Sequence, residues 1–282
     1  MLQISELFIY PIKSMAGISV KEAKVTATGF EHDRRWMLVD ESNLFISQRE
    51  APKMALMKVQ VETNGLKVTF ENNNLLIPFY GAGGKSDSRE GATVTIWDDA
   101  CGAEYVSEEA DRWFSNFLGI KCRLVYMPDD SNRLVDQKYA PGNLVTSFAD
   151  AYPFLIIGQA SLDDLNSRLS VPLPMNRFRP NIVFTGGVPF EEDGIANFTV
   201  GNVNFYGVKL CARCIMTTIN QSDASKGKEP LKTLASYRQK NNKILFGQNL
   251  VHEGVGMVAV GDVIKLLKLN DDERFMVSAR QF

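Results

Sequence analysis

Apolar and polar residues alternate over short stretches through the first third of the chain, the period-two pattern of half-buried strands. Val59 and Val61, then Leu66, Val68 and Phe70, flank Asn64-Gly65, which predicts a hairpin with a type I′ turn. Val94 and Ile96 repeat the alternation just before Trp97. Between these stretches, Gly81-Ala82-Gly83-Gly84-Lys85-Ser86-Asp87-Ser88 is a loop by composition. It is not read as a phosphate loop, because no Gly-Lys-Ser/Thr ending stands at Walker spacing ahead of a helix. The period then lengthens. Ala110, Trp113, Phe114, Phe117 and Leu118 fall at helical spacing, with Ser107 as cap, Glu108 and Glu109 at the positive end and Gly119 as stop. This aromatic stripe reads as core and closes a first domain.

The second half mixes both element types. Phe154-Leu155-Ile156-Ile157 is an apolar run of buried-strand length, and Asn181-Ile182-Val183-Phe184 reads as another strand. Ser161-x-x-Asp164 matches a capping box ahead of Leu162, Leu165 and Leu169. Thr199 to Phe205 reads as a hairpin continuing toward Cys211, Pro230 opens a helix carrying Leu231, Leu234 and Ala235, and Met257 to Ile264 is a turn between two strands. Many short strands with few helices predict a mixed α+β, strand-rich chain of barrel-like domains rather than a doubly wound sheet.

Composition narrows the class. The chain has 282 residues, 45% of them hydrophobic, enough for about two domains with a sizeable core. Lys+Arg 31 against Asp+Glu 33 leaves −2, which argues against a nucleic-acid-coating role. No apolar run approaches the roughly 18 residues of a membrane span, and the start lacks a basic, hydrophobic leader. The cysteines Cys101, Cys122, Cys211 and Cys214 are too sparse for a disulfide scaffold, so the expected setting is soluble, reducing and cytoplasmic.

Cys211-Ala212-Arg213-Cys214 is the sharpest local feature. A C-x-x-C supports a zinc half-site, a dithiol redox pair, or a single thiolate ligand to a soft metal with Arg213 lowering the thiol pKa or binding an anion nearby; two buried small hydrophobes would look the same. The β-branched run Ile215-Met216-Thr217-Thr218-Ile219 that follows reads as a strand, unlike the helix of a thioredoxin-type site. Lys13-Ser14 puts an ammonium and a hydroxyl between an apolar strand and Gly17, a pairing suited to phosphate. Asp33-Arg34-Arg35-Trp36 offers forked guanidiniums before an apolar stretch. In Phe178-Arg179-Pro180-Asn181 the proline biases Arg179 toward an extended conformation, and Asn181 can donate and accept along a heterocycle edge. Each piece alone also reads as a solvated turn or a strand entry. His32 and His252 read as structural or exposed, and Cys101 and Cys122 as packing.

Together these pieces resemble the MOSC superfamily, the molybdenum-cofactor sulfurase C-terminal domains. Within it the chain is most similar to the amidoxime-reducing branch, which holds the mitochondrial amidoxime-reducing component and bacterial YcbX-like proteins. The resemblance runs in order through Ile9-Tyr10-Pro11-Ile12-Lys13-Ser14, Asp33-Arg34-Arg35-Trp36, Ala160-Ser161-Leu162-x-x-Leu165-Asn166-Ser167-Arg168-Leu169, Phe178-Arg179-Pro180-Asn181, Cys211-x-x-Cys214-x-x-Thr217-Thr218 and Phe246-Gly247-Gln248. It implies a MOSC N-terminal β-barrel-like domain over residues 1–120 packed on a MOSC β-barrel domain with a few helices over residues 121–282, with the molybdenum cofactor (Mo-molybdopterin) between them.

By the same resemblance, Cys214 ligates molybdenum and Cys211 does not. Lys13, Ser14 and Arg34 hold the cofactor's phosphate and pterin, with Arg179, Asn181 and Arg213 on the other side, and Asp150 is an acidic group near the metal, a candidate proton donor. No pyridoxal phosphate is expected. The chain departs from the family at Asn220, where an aspartate is usual, and no C-x₄-C-x₂-C run for a [2Fe–2S] cluster follows, nor is there an N-terminal anchor, so electrons are expected from a separate flavin or iron–sulfur reductase. The implied function is molybdenum-dependent reduction of N-hydroxylated compounds such as hydroxylamines, amidoximes and N-hydroxylated bases, an N-reductive detoxification, with no nucleic-acid or membrane partner. Two other functions fit the same residues: a sulfur carrier using a Cys214 persulfide, and a non-catalytic cofactor-binding module.

Overall fold

A computed structural model describes residues 1–79, 90–140, 142–270, 272 and 275–277; the glycine-rich loop expected at 81–88 lies outside the described residues. The chain is strand-rich, as expected, and its centre is a closed barrel of seven strands. In order around the ring these are Phe154–Gly158, Ile182–Thr185, Leu2–Ile9, Val263–Leu269, Ile195–Val200, Val203–Ala212 and Lys243–Glu253, which pairs back to Phe154–Gly158. Six of the seven pairings are antiparallel; Phe154–Gly158 and Ile182–Thr185 run parallel. A parallel pair needs a crossover, and the helix Gln159–Ser167 supplies it on the outside of the barrel.

Phe154–Gly158 is buried on both faces, which is why its sequence is a continuous apolar run. Phe154 and Ile156 point into the barrel with Phe198 and Phe205, while Leu155 and Ile157 pack outside against Leu162, Leu165 and Phe246. The chain's first strand is a barrel strand too, so the N-terminal residues are woven into the second half. Glu22–Thr26 and Gly29–Phe30 form a small sheet with Gly256–Ala259. The N-terminal half further builds a four-stranded sheet of Trp36–Val39, Arg123–Tyr126, Asp99–Tyr105 and Gly91–Ile96, and a three-stranded meander of Lys58–Glu62, Gly65–Phe70 and Asn73–Pro78. The helix Glu108–Leu118 closes this core with Ala110 and Phe114; Ser107 accepts from Ala110 N and Gly119 ends the helix at φ 70°.

Four local expectations are corrected. The hairpin pairs Glu62 with Gly65, so its turn residues are Thr63-Asn64, and none of Thr63, Asn64 and Gly65 has a left-handed φ; the turn is not type I′. Gly65 is there for close approach, since a Cβ would stand 2.3 Å from Ile77 O in the next strand. Ser161 does not cap the helix, which starts at Gln159. Its hydroxyl donates to Glu192 and accepts from Phe190 N, tying the crossover to the barrel. Ile215–Thr218 is a 3₁₀ turn and not a strand, because the Thr217 and Thr218 hydroxyls bond back to Cys214 O and Ile215 O and override β-branched propensity. Arg179 is left-handed at φ 57° instead of extended.

The Gly65 contact is testable. Gly65→Ala is expected to lower unfolding stability by about 1–3 kcal/mol, since its methyl meets backbone that cannot rotate away. Urea unfolding measures this, and an unchanged midpoint would show that the two strands separate freely.

Candidate functional site

The parallel pair brings three segments to one end of the barrel. Leu2–Ile9 ends where Ile182–Thr185 begins, with Leu7 opposite Ile182 and Phe8 N bonded to Asn181 O. The segment entering Phe154–Gly158 arrives there as well, and the residues following Val203–Ala212 border the same place, with Arg213 donating to Phe178 O. They enclose a cavity of about 120 Å³ lined by Lys13, Ser14, Arg34, Asp150, Arg177, Arg179, Asn181, Cys211, Arg213 and Cys214. Every residue expected to hold a ligand from the sequence therefore meets in one cavity, and both halves of the chain contribute.

Tyr10 is the prop of the site. It is buried, and its ring carries the guanidiniums of Arg34 and Arg179 at 4.4 and 4.2 Å from its centroid. Its hydroxyl donates to Pro180 O, and burial pushes its pKa up to about 12 although Arg179 and Arg34 oppose this. A Cβ on Gly17 would stand 2.4 Å from the same ring. Arg179 donates to Met15 O at 2.7 Å, and its left-handed backbone is what turns it back over Tyr10. Burial draws its pKa down to about 10, so it stays cationic at neutral pH. Ser14 and Arg34 are left-handed too, at φ 67° and 50°. Strained backbone of this kind persists where surrounding contacts impose it, commonly at ligand clamps.

Lys13 is buried and donates to Phe148 O at 2.8 Å and to Asp150 Oδ1 at 2.6 Å. Burial lowers its pKa to about 8 against the pull of Asp150. Asp150 sits at the open side, its side chain 60% exposed. Enclosure within the cleft works against its ionisation, but Lys13, with Arg49 and Arg34 behind it, holds the carboxyl well below the usual carboxylate range. Asn181 is held within the cavity wall: Oδ1 accepts from Arg34 and Leu155 N, and Nδ2 donates to Phe8 O, which fixes Arg34.

The two cysteines differ. Cys211 lies in its strand and receives Arg213 Nη1 at 3.0 Å; burial raises its pKa, with Arg213 opposing. Cys214 starts the 3₁₀ turn, and its cation is Arg49, whose Nη2 lies 3.3 Å from Sγ. The expectation that Arg213 serves the Cys214 thiol is thus corrected: Arg213 is held by Cys211 and by Phe178 O, and its Nε is buried with no partner among the described residues. Among the described residues no three His, Cys, Asp or Glu side chains gather to hold a metal. A metal at Cys214 must bring its other ligands with it. Asn220 turns inward on its own loop, accepting from Ser222, and does not line the cavity. His32 stacks on Phe79, His252 packs on Phe154, and neither lines it. Cys101 and Cys122 are buried in separate apolar clusters.

Three residues at the site were missed by sequence reasoning. Arg49 comes from the turn after Phe45. Arg177, two residues before Arg179, bonds Thr217 O. Arg133 ties down the carbonyls of Ser147, Ala149 and Asp150. The alternation Arg177-Phe178-Arg179 was a usable signal; Arg49 and Arg133 carried none. The result is a positive cleft in a chain of net charge −2, with Asp33 and Asp150 as its carboxylates.

A strand-built cleft that joins two halves of the chain, lined by cations and carrying the half-buried thiols of Cys211 and Cys214, is suited to an anionic ligand. Residues 1–121 match the MOSC N-terminal beta barrel domain family and residues 143–265 the MOSC domain family, so the chain belongs to the MOSC family. It is 34% identical to mitochondrial amidoxime-reducing component 1 of Mus musculus across 94% of this chain and 82% of that protein. It is 33% identical to mitochondrial amidoxime reducing component 2 of Homo sapiens, over 93% and 82%. It is 31% identical to the molybdenum cofactor sulfurase of Solanum lycopersicum, over 89% of this chain but 33% of that protein.

The Lys13–Asp150 pair predicts a pH window. A carboxyl whose pKa is depressed on folding stabilises above its ordinary value of 3.8 and loses that effect as pH falls further; the pair also weakens when Lys13 deprotonates near pH 8. Wild type is therefore expected to exceed Asp150→Asn in stability most clearly between these limits, with the gap narrowing on either side. Urea titrations across the range check this, and a flat difference would mean that the pair contributes nothing.

Proposed function

We propose that this protein is a molybdenum-cofactor-dependent reductase of N-hydroxylated compounds, working with a separate electron-donor protein. The observation that carries the reading is the cation-lined cavity ending at the accessible Cys214 thiol. Its donor set fits a pterin phosphate with a dithiolene-bound metal: ammonium and hydroxyl at Lys13 and Ser14, guanidiniums at Arg34 and Arg179, an orphaned buried N–H at Arg213 Nε, and one soft sulfur. The relatives named amidoxime-reducing components support the substrate class. When bound, the cofactor supplies the two-electron redox capacity for breaking the N–O bond. The balance is two electrons and two protons in, the reduced nitrogen compound and water out.

The chain's own part is positioning and proton supply. Lys13 and Ser14 hold the phosphate, Arg34 and Arg179, braced on Tyr10, orient the pterin, and Cys214 is the protein's metal ligand. Asp150 is ionised against Lys13 in the ligand-free cleft and has no proton to donate there. An anion drawing Lys13 away would remove the cation that holds the Asp150 pKa down, and the carboxyl would then take up a proton that it can donate. All four cysteines are free thiols, in keeping with a reducing, cytoplasmic setting. Among the described residues no helix is long and apolar enough to cross a membrane.

The test is molybdenum per chain by elemental mass spectrometry, on protein from a cofactor-competent host. Near-stoichiometric metal is expected in wild type, near-complete loss of metal and of amidoxime reduction in Cys214→Ser, and retention of most of both in Cys211→Ser. Equal loss of activity in both variants with metal retained would sink the single-ligand assignment. A one-sulfur adduct on Cys214 without molybdenum would support the sulfur carrier instead, and metal without turnover the binding module.

A further inference from the structure

Trp97 is out of place on stability grounds. It occupies the first position of the two-residue turn joining Gly91–Ile96 to Asp99–Tyr105, where Ile96 pairs with Asp99. Its φ is +56°, a conformation that glycine or asparagine adopts easily and a bulky aromatic residue does not. The indole is also 48% exposed, so core packing does not account for it. A strained and exposed aromatic invites a functional explanation when its neighbours supply one.

They do. Arg49 lies over the indole, its guanidinium carbon 4.5 Å from the ring centroid, while the same guanidinium reaches Cys214 Sγ at 3.3 Å. Phe45 meets the indole edge-on at 5.0 Å, and Lys13 Nζ sits 5.2 Å from the Phe45 ring. One guanidinium therefore separates the indole from the thiol, and one phenyl ring separates it from the buried ammonium. Leu44 and Ile215, at 43% and 56% exposure, add apolar surface next in sequence to Phe45 and Cys214. The cleft is cationic inside and aromatic at this rim. A ligand matching it has a polar head and a flat, apolar body.

We propose that Trp97, backed by Arg49 and Phe45, is a substrate platform on which the face of a planar, conjugated N-hydroxylated compound stacks, its N–OH end directed toward Cys214. This rests on the reductase reading and narrows its substrate class: aromatic amidoximes and N-hydroxylated bases are favoured over saturated analogues carrying the same head. The indole presents a large π-face at small cost in ordering, and stacking on it distinguishes a flat ring from a puckered one.

The experiment compares benzamidoxime with cyclohexanecarboxamidoxime, which share the amidoxime head. The molybdenum-loaded wild type is expected to favour the aromatic compound about fivefold to tenfold in kcat/KM. Trp97→Ala collapses that ratio toward one through the KM of benzamidoxime, and Trp97→Phe keeps most of it. Independently of turnover, the indole N–H resonance of Trp97, identified by its absence in Trp97→Phe, shifts when benzamidoxime is added to the intact ¹⁵N-labelled protein and not when the cyclohexyl analogue is. An active enzyme whose substrate ratio survives Trp97→Ala, or whose Trp97 resonance ignores benzamidoxime, overturns the platform and leaves the reductase standing. An inactive enzyme whose Trp97 resonance still responds to the aromatic ring alone overturns the reductase and leaves the platform.

Discussion

A closed ring with an odd number of strands cannot alternate direction all the way round, so a seven-stranded barrel must contain a parallel pair. Here that pair is Phe154–Gly158 with Ile182–Thr185. Parallel neighbours force a long excursion outside the barrel, and the excursion ends in the corner carrying Arg177, Arg179 and Asn181. The chain's first strand lies on the other side of Ile182–Thr185, antiparallel to it, which delivers Tyr10 to Ser14 to the same end. The site is a consequence of how the barrel closes.

Gathering Lys13, Arg34, Arg49, Arg177, Arg179 and Arg213 into a partly desolvated cleft is electrostatically costly. Pairing each with a carboxylate would relieve that cost and abolish the charge. The chain pairs Lys13 with Asp150 and Arg34 with Asp33, and otherwise offers backbone carbonyls, from Met15 to Arg179, Phe148 to Lys13, Phe178 to Arg213 and Thr217 to Arg177, and the face of Tyr10. Carbonyls and π-faces satisfy donors without neutralising them. The cleft keeps a net positive charge for an anionic ligand, and the left-handed Ser14, Arg34 and Arg179 are the backbone cost of aiming those groups.

The elements with a strong local signature were legible. The helix at Glu108–Leu118 was read from its cap, stripe and terminal glycine, and the buried strand Phe154–Gly158 from its unbroken apolar run. The readings that failed were those that competing contacts decided. Ser161 has capping chemistry, but Glu192 and Phe190 N claim its hydroxyl from across the crossover. Thr217 and Thr218 have strand propensity, but their hydroxyls bond back into a tight turn. Gly65 looked like a turn residue and proved to be a point of close approach. Arg179 was expected to be extended before Pro180 and is left-handed because Tyr10 and Met15 O hold its guanidinium.

The order and identity of its motifs by themselves determined that this chain is strand-rich, belongs with MOSC proteins, and carries its candidate ligands at Lys13, Ser14, Arg34, Asp150, Arg179, Asn181, Arg213 and Cys214. Those are one-dimensional facts, set by residue type and spacing. Which cation meets which sulfur was decided only in three dimensions. Arg213 is adjacent to Cys214 in the chain and turns to Cys211, while Arg49, far away in sequence, reaches Cys214. Arg213 and Cys214 lie where the chain leaves the strand Val203–Ala212 and enters the 3₁₀ turn, so adjacency along the backbone does not bring their side chains together. The partners that count are supplied by whichever segment the barrel brings alongside.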